Sequence, residues 1–273
     1  MTFLSTTSTP GLDRLIRTTA TPPGCPARGA FGNAGPGDGP SCHRLFVNRD
    51  LEWAPCVNVR DLGGLPTSEG GRTEFGVIVR ADNVRLLSRE GWDAARDYGV
   101  STVLDLRSEG ERAADAAVPI GFNVVTISLF DDFDSDPAYR RDIGFRVVGL
   151  GAAEAYRALY TEALDRNRAM FGAALNAIAV APGTVLMHCT GGKDRTGLLA
   201  ALLARLAGVS IAVADKDYQR SELRLGIRDS APAGVMDTVL AGVEQQFDKV
   251  EHYFLQAGAT ASAIERVRVG LSG

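Results

Sequence analysis

The chain has 273 residues, 45% of them hydrophobic and 23% charged, with a net charge of −4, which is enough chain for one large domain with a substantial core. The acidic balance argues against broad nucleic-acid binding, because that requires a basic surface to displace counterions. No apolar run reaches the roughly 20 residues that span a bilayer, and the N-terminus lacks the basic cap and apolar core of a secretory signal, so a cytoplasmic location is expected, with export by a non-classical route left open.

In chain order, the stretch 18–40 is dense in Gly, Pro, Thr and Ala and has almost no apolar periodicity. It cannot bury enough surface to offset its ordering entropy, which predicts a disordered tail over 1–44 and a folded domain over 45–273. Cys25, Cys42 and His43 match no zinc spacing, and no metal is expected. Four cysteines without a disulfide-like pattern suit a reducing compartment. Short apolar runs predict strands over 57–59, 76–80, 102–106, 124–129 and 184–187. Ser88 is placed to cap a helix running to Tyr98, with Gly99 supplying its C-terminal turn. The acidic run 131–136 (DDFDSD) and the residues up to Gly151 form a long connection, read either as a lid or as a solvated surface loop. One helix is predicted over 153–180, ending before Pro182 and Gly183. Further helices are predicted over 197–206, 213–225, 235–255 and 260–269. The pattern is that of an α/β fold: a central, mostly parallel sheet flanked by helices, with an all-helical C-terminal third.

Residues 188–197 (HCTGGKDRTG) carry the chemistry. They join a short buried strand to an apolar helix through a glycine-rich turn. Curled backbone amides and the positive end of the following helix make a concave anion site that suits phosphate without a metal. Cys189 stands at its mouth, where that field and the Arg195 charge favour the thiolate. Gly191 and Gly192 let amides converge and tolerate positive φ. Arg195 supplies a planar fork for two phosphate oxygens, and Thr196 is placed to donate its hydroxyl to the Cys189 sulfur. Thr190 and Lys193 complete the loop. An inert buried cysteine beside an ordinary turn is the bland alternative.

These residues resemble the cysteine-dependent phosphatases with a Cys-x5-Arg signature, and among them the bacterial atypical tyrosine phosphatases with an HCxxGKDRTG loop. Residues 58–65 (NVRDLGGL), 76–80 (GVIVR) and 104–107 (LDLR, with Glu109 close behind) resemble three further elements of that family, so the resemblance covers about residues 45–270. Ala81 departs from it, standing where relatives often carry Ser. The resemblance implies a tyrosine-phosphatase-like catalytic domain over 45–273. It also implies a phosphocysteine intermediate on Cys189, no cofactor, and Asp194 as the general acid that protonates the leaving oxygen. A carboxylate of 131–136 is the rival acid, and a helix-end aspartate that only favours the dipole is the other reading of Asp194. Relatives active on phosphoinositides also carry a lysine at the position of Lys193, so the expected partners are phosphotyrosine proteins or phosphoinositides, with dual Ser/Thr or lipid specificity open.

Arg60, Asp61, Asp105 and Arg107 are supporting candidates, because charges beside apolar strands are costly to bury unless paired. Asp105 is expected to orient Arg195 and Asp61 to pair with a neighbouring arginine; exposed strand-end charge is the alternative. Cys56 is considered as a protective disulfide partner for Cys189. A rhodanese-type sulfurtransferase also uses a loop cysteine but lacks the GKDRTG continuation, and a non-catalytic phospho-ligand-binding module remains a further alternative.

Overall fold

The computed structural model describes residues 48–113, 118–130 and 148–273, together with Pro137, Ala138 and Asp142. The expected disordered tail, Cys25, Cys42, His43 and the acidic run 131–136 lie outside the described residues. Strand β5 (Thr184–His188) is buried at all five positions, as its unbroken apolar run requires of a strand covered on both faces. Around it β1 (Arg60–Asp61), β2 (Ile78–Ala81), β3 (Val100–Asp105) and β4 (Asn123–Thr126) form one sheet in the order β1-β2-β5-β3-β4. Only β1 is antiparallel.

Side chains alternate between the faces with the two-residue period of a strand. Ile78, Leu104, Val185 and Met187 join the larger core, whereas Val79, Val103 and Leu186 join a smaller one with Trp53, Val59 and Trp92. The smaller core is covered by α1 (Arg89–Asp97), whose first turn is capped by the Ser88 side chain accepting from the Gly91 amide. A one-turn helix α2 (Glu109–Arg112) follows β3. The larger core is covered by α3 (Ala152–Arg166), α4 (Arg168–Val180), α5 (Arg195–Leu206), α6 (Ile211–Leu225), α7 (Val235–Phe247), α8 (Val250–Gln256) and α9 (Ala261–Ser272).

Three expectations need correction. The helix predicted over 153–180 is two, broken at Asn167, whose φ of −100° and ψ of 22° leave the helical region. The helix predicted over 235–255 is also two, because Asp248 takes a φ of 69°. The first strand lies at Arg60–Asp61 rather than over 57–59, since the amides of Val57 and Asn58 are taken by the Asp82 carboxylate. Among the described residues no helix is long and apolar enough to cross a membrane.

The register places Ala81 beside His188 and His188 beside Asp105. The carboxyl ends of three parallel strands therefore meet at one edge, where open α/β sheets bind ligands.

Candidate active site

The loop 189–194 leaves β5 and ends at α5, whose first turn closes with the Leu198 amide donating to the Asp194 carbonyl at 2.8 Å. Three successive loop carbonyls are held from one side. Thr190 O accepts the Asn83 amide at 3.1 Å, Gly191 O accepts Asn58 Nδ2 at 2.9 Å, and Gly192 O accepts Arg80 Nη2 at 2.8 Å. In a planar trans peptide the following N–H points away from its carbonyl. The amides of Gly191, Gly192 and Lys193 are thus turned away from those donors, an arrangement that can receive an anion. Gly192 is required there twice over: its φ is +65°, and a Cβ would sit 2.4 Å from the Ala81 carbonyl oxygen. Gly191 does not share that need, since its φ is not positive and an added Cβ would meet only Leu225 Cδ1 at 3.9 Å.

Behind the loop, Asp217 of α6 gathers three arginines. Arg80 Nη1 reaches it at 2.6 Å, Arg49 Nη2 at 2.7 Å and Arg60 Nε at 3.1 Å. Arg60, wholly buried, also donates to Asn58 Oδ1 and Ser221 Oγ. Burial opposes the Asp217 charge, but the three guanidinium groups outweigh it and hold the carboxyl well below the ordinary range. Burial and the neighbouring Arg80 pull Arg60 down to about 9, with Asp217 opposing them, so it stays charged at neutral pH. Three arginines on one carboxylate leave positive charge in excess beside the loop, which Arg80 touches through Gly192 O. Sequence reasoning missed Asp217, although its place with Ala214, Tyr218 and Ser221 on the buried stripe of α6 was a signal, because an aspartate on that stripe must find partners.

The supporting carboxylates are used differently from expectation. Among the described residues Asp61 makes no ion pair with an arginine; its oxygens accept the amides of Gly63 and Gly76 and the Tyr98 hydroxyl, at 2.6, 2.8 and 2.6 Å. Burial raises its pKa in spite of those donors. Asp105 takes Arg107 rather than Arg195, through Nε at 2.9 Å and Nη2 at 2.8 Å, and its Oδ2 stands 3.5 Å from His188 Nε2. Burial again opposes the charge, but the Arg107 hydrogen bonds and the His188 ring nearby prevail and hold the Asp105 carboxyl well below the ordinary range.

Among the described residues Glu111 holds Arg195. Its carboxylate meets Arg195 Nη1 and Nη2 in a fork, the second at 2.7 Å, and accepts the Thr190 hydroxyl at 2.6 Å. Burial works against the Glu111 charge, yet Arg195, Thr190 and the Ser108 amide bring its pKa down to about 2. The signal for it was local: Ser108 and Glu111 have the spacing of a capping box, and Glu111 Oε2 accepts the Ser108 amide at 2.9 Å.

Cys189 is buried, 2% exposed. Thr196 does not donate to it: the Thr196 hydroxyl is wholly buried with no partner among the described residues. Lys193 is turned inward, its ammonium 2.6 Å from Ser230 O, 2.9 Å from Asp194 Oδ1 and 4.0 Å from the centre of the Tyr156 ring. Asp194 Oδ1 also accepts the Tyr160 hydroxyl at 2.5 Å. Cys56 and Cys189 are both free thiols. Burial and the nearby Asp82 push Cys56 up to about 12, and its sulfur donates to Asn83 O at 3.4 Å, so it is a poor attacking thiolate.

Residues 51–272 match the family model of the tyrosine phosphatases. The chain is 32% identical over 174 residues to a protein of Cupriavidus necator named as a tyrosine-protein phosphatase, a match spanning 63% of this chain and 62% of that protein. It is 28% identical over 224 residues to a tyrosine-protein phosphatase of Nostoc commune, covering 71% of this chain and 74% of that one. It is 27% identical over 213 residues to the triple specificity protein phosphatase PtpB of Mycobacterium tuberculosis, covering 70% and 73%.

Proposed function

The chain belongs to the tyrosine phosphatase family, and on that premise we propose that it hydrolyses phosphate monoesters, phosphotyrosine in proteins first among them, through a phosphocysteine on Cys189. The observation that carries this reading is the row of three carbonyls, at Thr190, Gly191 and Gly192, held outward by Asn83, Asn58 and Arg80. It prearranges amide donors for the equatorial phosphate oxygens before substrate arrives, and donors placed in advance stabilise developing charge most effectively.

In the first step the Cys189 sulfur attacks phosphorus in line, the ester P–O bond breaks, and the leaving oxygen takes a proton from Asp194. In the second, water attacks the phosphocysteine, the P–S bond breaks, Asp194 recovers the proton, and inorganic phosphate departs. Arg195 holds phosphate oxygens through both steps, and Glu111 keeps the guanidinium in place. Thr190, Gly191, Gly192 and Lys193 contribute main-chain donors. Arg60, Asp61, Asp105 and Arg107 act as structural supports of the strand ends.

The inward packing of the Lys193 ammonium favours a single-phosphate substrate over one that needs this lysine for a second phosphate. Dual or lipid specificity is therefore the second reading, and the mycobacterial relative named for a triple specificity is the reason to keep it. The test is phosphate release without added metal from a phosphotyrosine peptide and from a phosphoinositide, for the native protein and Cys189→Ser. Native protein should release phosphate from the peptide faster than from the lipid, and Cys189→Ser should lose activity by about three orders of magnitude or more. Phosphopeptide binding without release by the native protein, or turnover by the serine variant at the parent rate, would overturn the reading.

A further inference from the structure

We infer that Tyr160 is a positioning residue for the acid step, and that it acts by fixing which oxygen of Asp194 carries the proton. The inference rests on the assignment of Asp194 as general acid made above.

Asp194 is at the junction of loop and helix, half-exposed, with its two oxygens in different situations. Oδ1 accepts two donors, the Tyr160 hydroxyl at 2.5 Å and the Lys193 ammonium at 2.9 Å. Oδ2 has no partner among the described residues. A carboxylic acid whose Oδ1 already receives two hydrogens carries its own proton on Oδ2, which in the proposed reaction is the oxygen that would serve the leaving group. Without the Tyr160 hydroxyl, Oδ1 keeps only the Lys193 ammonium, a point-charge donor on a flexible stem, and the carboxyl is held less firmly in its orientation.

The tyrosine is built to hold that place. Its ring is wholly buried in α3. Its hydroxyl is backed by Tyr218 of α6, oxygen to oxygen at 3.1 Å with the rings edge to face. The Tyr218 hydroxyl in turn stands 3.5 Å from Ser230 O, the carbonyl that also receives Lys193. Tyr156, one turn before Tyr160, covers the Lys193 ammonium. Two helices and the segment after α6 thus converge on a single carboxylate oxygen. Burial, with Asp194 and Tyr218 beside it, keeps the Tyr160 phenol far above its ordinary pKa, so it serves as a fixed donor and is not itself the acid.

The experiment compares kcat and KM for phenyl phosphate, a poor leaving group, and para-nitrophenyl phosphate, a good one, in the parent, Asp194→Asn, Tyr160→Phe and the double variant. Tyr160→Phe removes one oxygen and keeps the buried ring. It should lower kcat on phenyl phosphate by about tenfold, with para-nitrophenyl phosphate within about twofold and KM little changed, as expected for a lost charge-assisted hydrogen bond to the acid. In the Asp194→Asn background it should add no further leaving-group dependence, because the two groups act as one unit. Tyr218→Phe, which removes only the support behind Tyr160, should show the same signature at about twofold to threefold. An Asp194→Asn variant that loses equally on both substrates would remove the acid assignment, and the inference with it. A leaving-group-dependent Asp194→Asn combined with equal losses on both substrates in Tyr160→Phe and Tyr218→Phe would overturn the inference alone.

Discussion

Glu111 and Arg195 show what one side-chain pair contributes. The Glu111 carboxylate takes the end of the guanidinium in a fork and the Thr190 hydroxyl besides, so the arginine is oriented before any phosphate enters. Two effects oppose each other in Glu111→Gln. Removing a negative charge near the phosphate site favours anion binding, while losing the charged fork weakens the hold on the guanidinium. Orientation should prevail, because a small misplacement of a catalytic group is costly: we expect kcat to fall by about tenfold with a smaller change in KM, read from steady-state kinetics on an aryl phosphate. The same residue has a pH signature. Its pKa drops from 4.5 to about 2 on folding, so the folded state binds fewer protons there. Its stabilisation is complete above about 4.5 and is lost as pH falls towards 2. Thermal melts of Glu111→Gln should therefore decline less steeply than the parent between those values. Parallel profiles would show that the pair adds nothing to stability.

At the scale of elements, close packing sets the arrangement of the C-terminal helices. Helix α4 approaches the end of α8 at Gly172, where a Cβ would lie 2.0 Å from the Ala257 carbonyl oxygen. Gly172→Ala should improve intrinsic helix propensity by about 1 kcal/mol and yet destabilise the protein, since relieving a backbone clash in a packed interior typically costs about 1–3 kcal/mol or more. A lower urea midpoint at unchanged m-value would show it; a higher midpoint would mean that the helices part freely. Such contacts mark the boundary of what was legible. Strands β2, β3 and β5 and the Ser88 cap were readable because their signals are local: β-branched runs, and a hydroxyl one residue before a helix. The breaks at Asn167 and Asp248 were not, because neither is at a Pro or Gly and the apolar periodicity runs past both. The phosphate-type loop was readable for the same reason as the strands, its residues being contiguous. Glu111, Tyr160 and Asp217 meet their partners from 84, 34 and 157 positions away; the capping-box spacing and the buried stripe mark Glu111 and Asp217, but no local pattern names the partners. The expected link from Asp105 to Arg195 failed because Arg107, two positions on, competes for the same carboxylate from far closer.

Over the whole molecule, Asp217 ties together segments that the chain keeps apart. Arg49 lies before the first strand, Arg60 in it, Arg80 in β2, and all three converge on one carboxylate of α6. Arg80 then passes the connection on to the loop through Gly192 O. The buried cluster is a junction between fold and site, so breaking it should affect both, in a definite order of size. Asp217→Asn leaves three buried or nearly buried guanidinium groups without their counter-charge, a change expected to cost about 3–5 kcal/mol and to lower the Tm by about 10 °C or more. Added inorganic phosphate should recover part of that loss, because an anion that binds the folded loop and not the unfolded chain shifts the equilibrium by mass action, and in the variant the cluster behind the loop holds one more positive charge than in the parent. The recovery at a given phosphate concentration is the discriminating measurement. If phosphate raises the Tm of the variant at least as much as that of the parent, the loop keeps its shape and the cluster acts on it through charge. If phosphate protects only the parent, the Arg80 bridge to Gly192 is what shapes the nest, and the field behind it is secondary. The direct 2.8 Å hydrogen bond from Arg80 to the loop carbonyl favours the second result, since an anion nest depends on the orientation of its amides before it depends on distant charge.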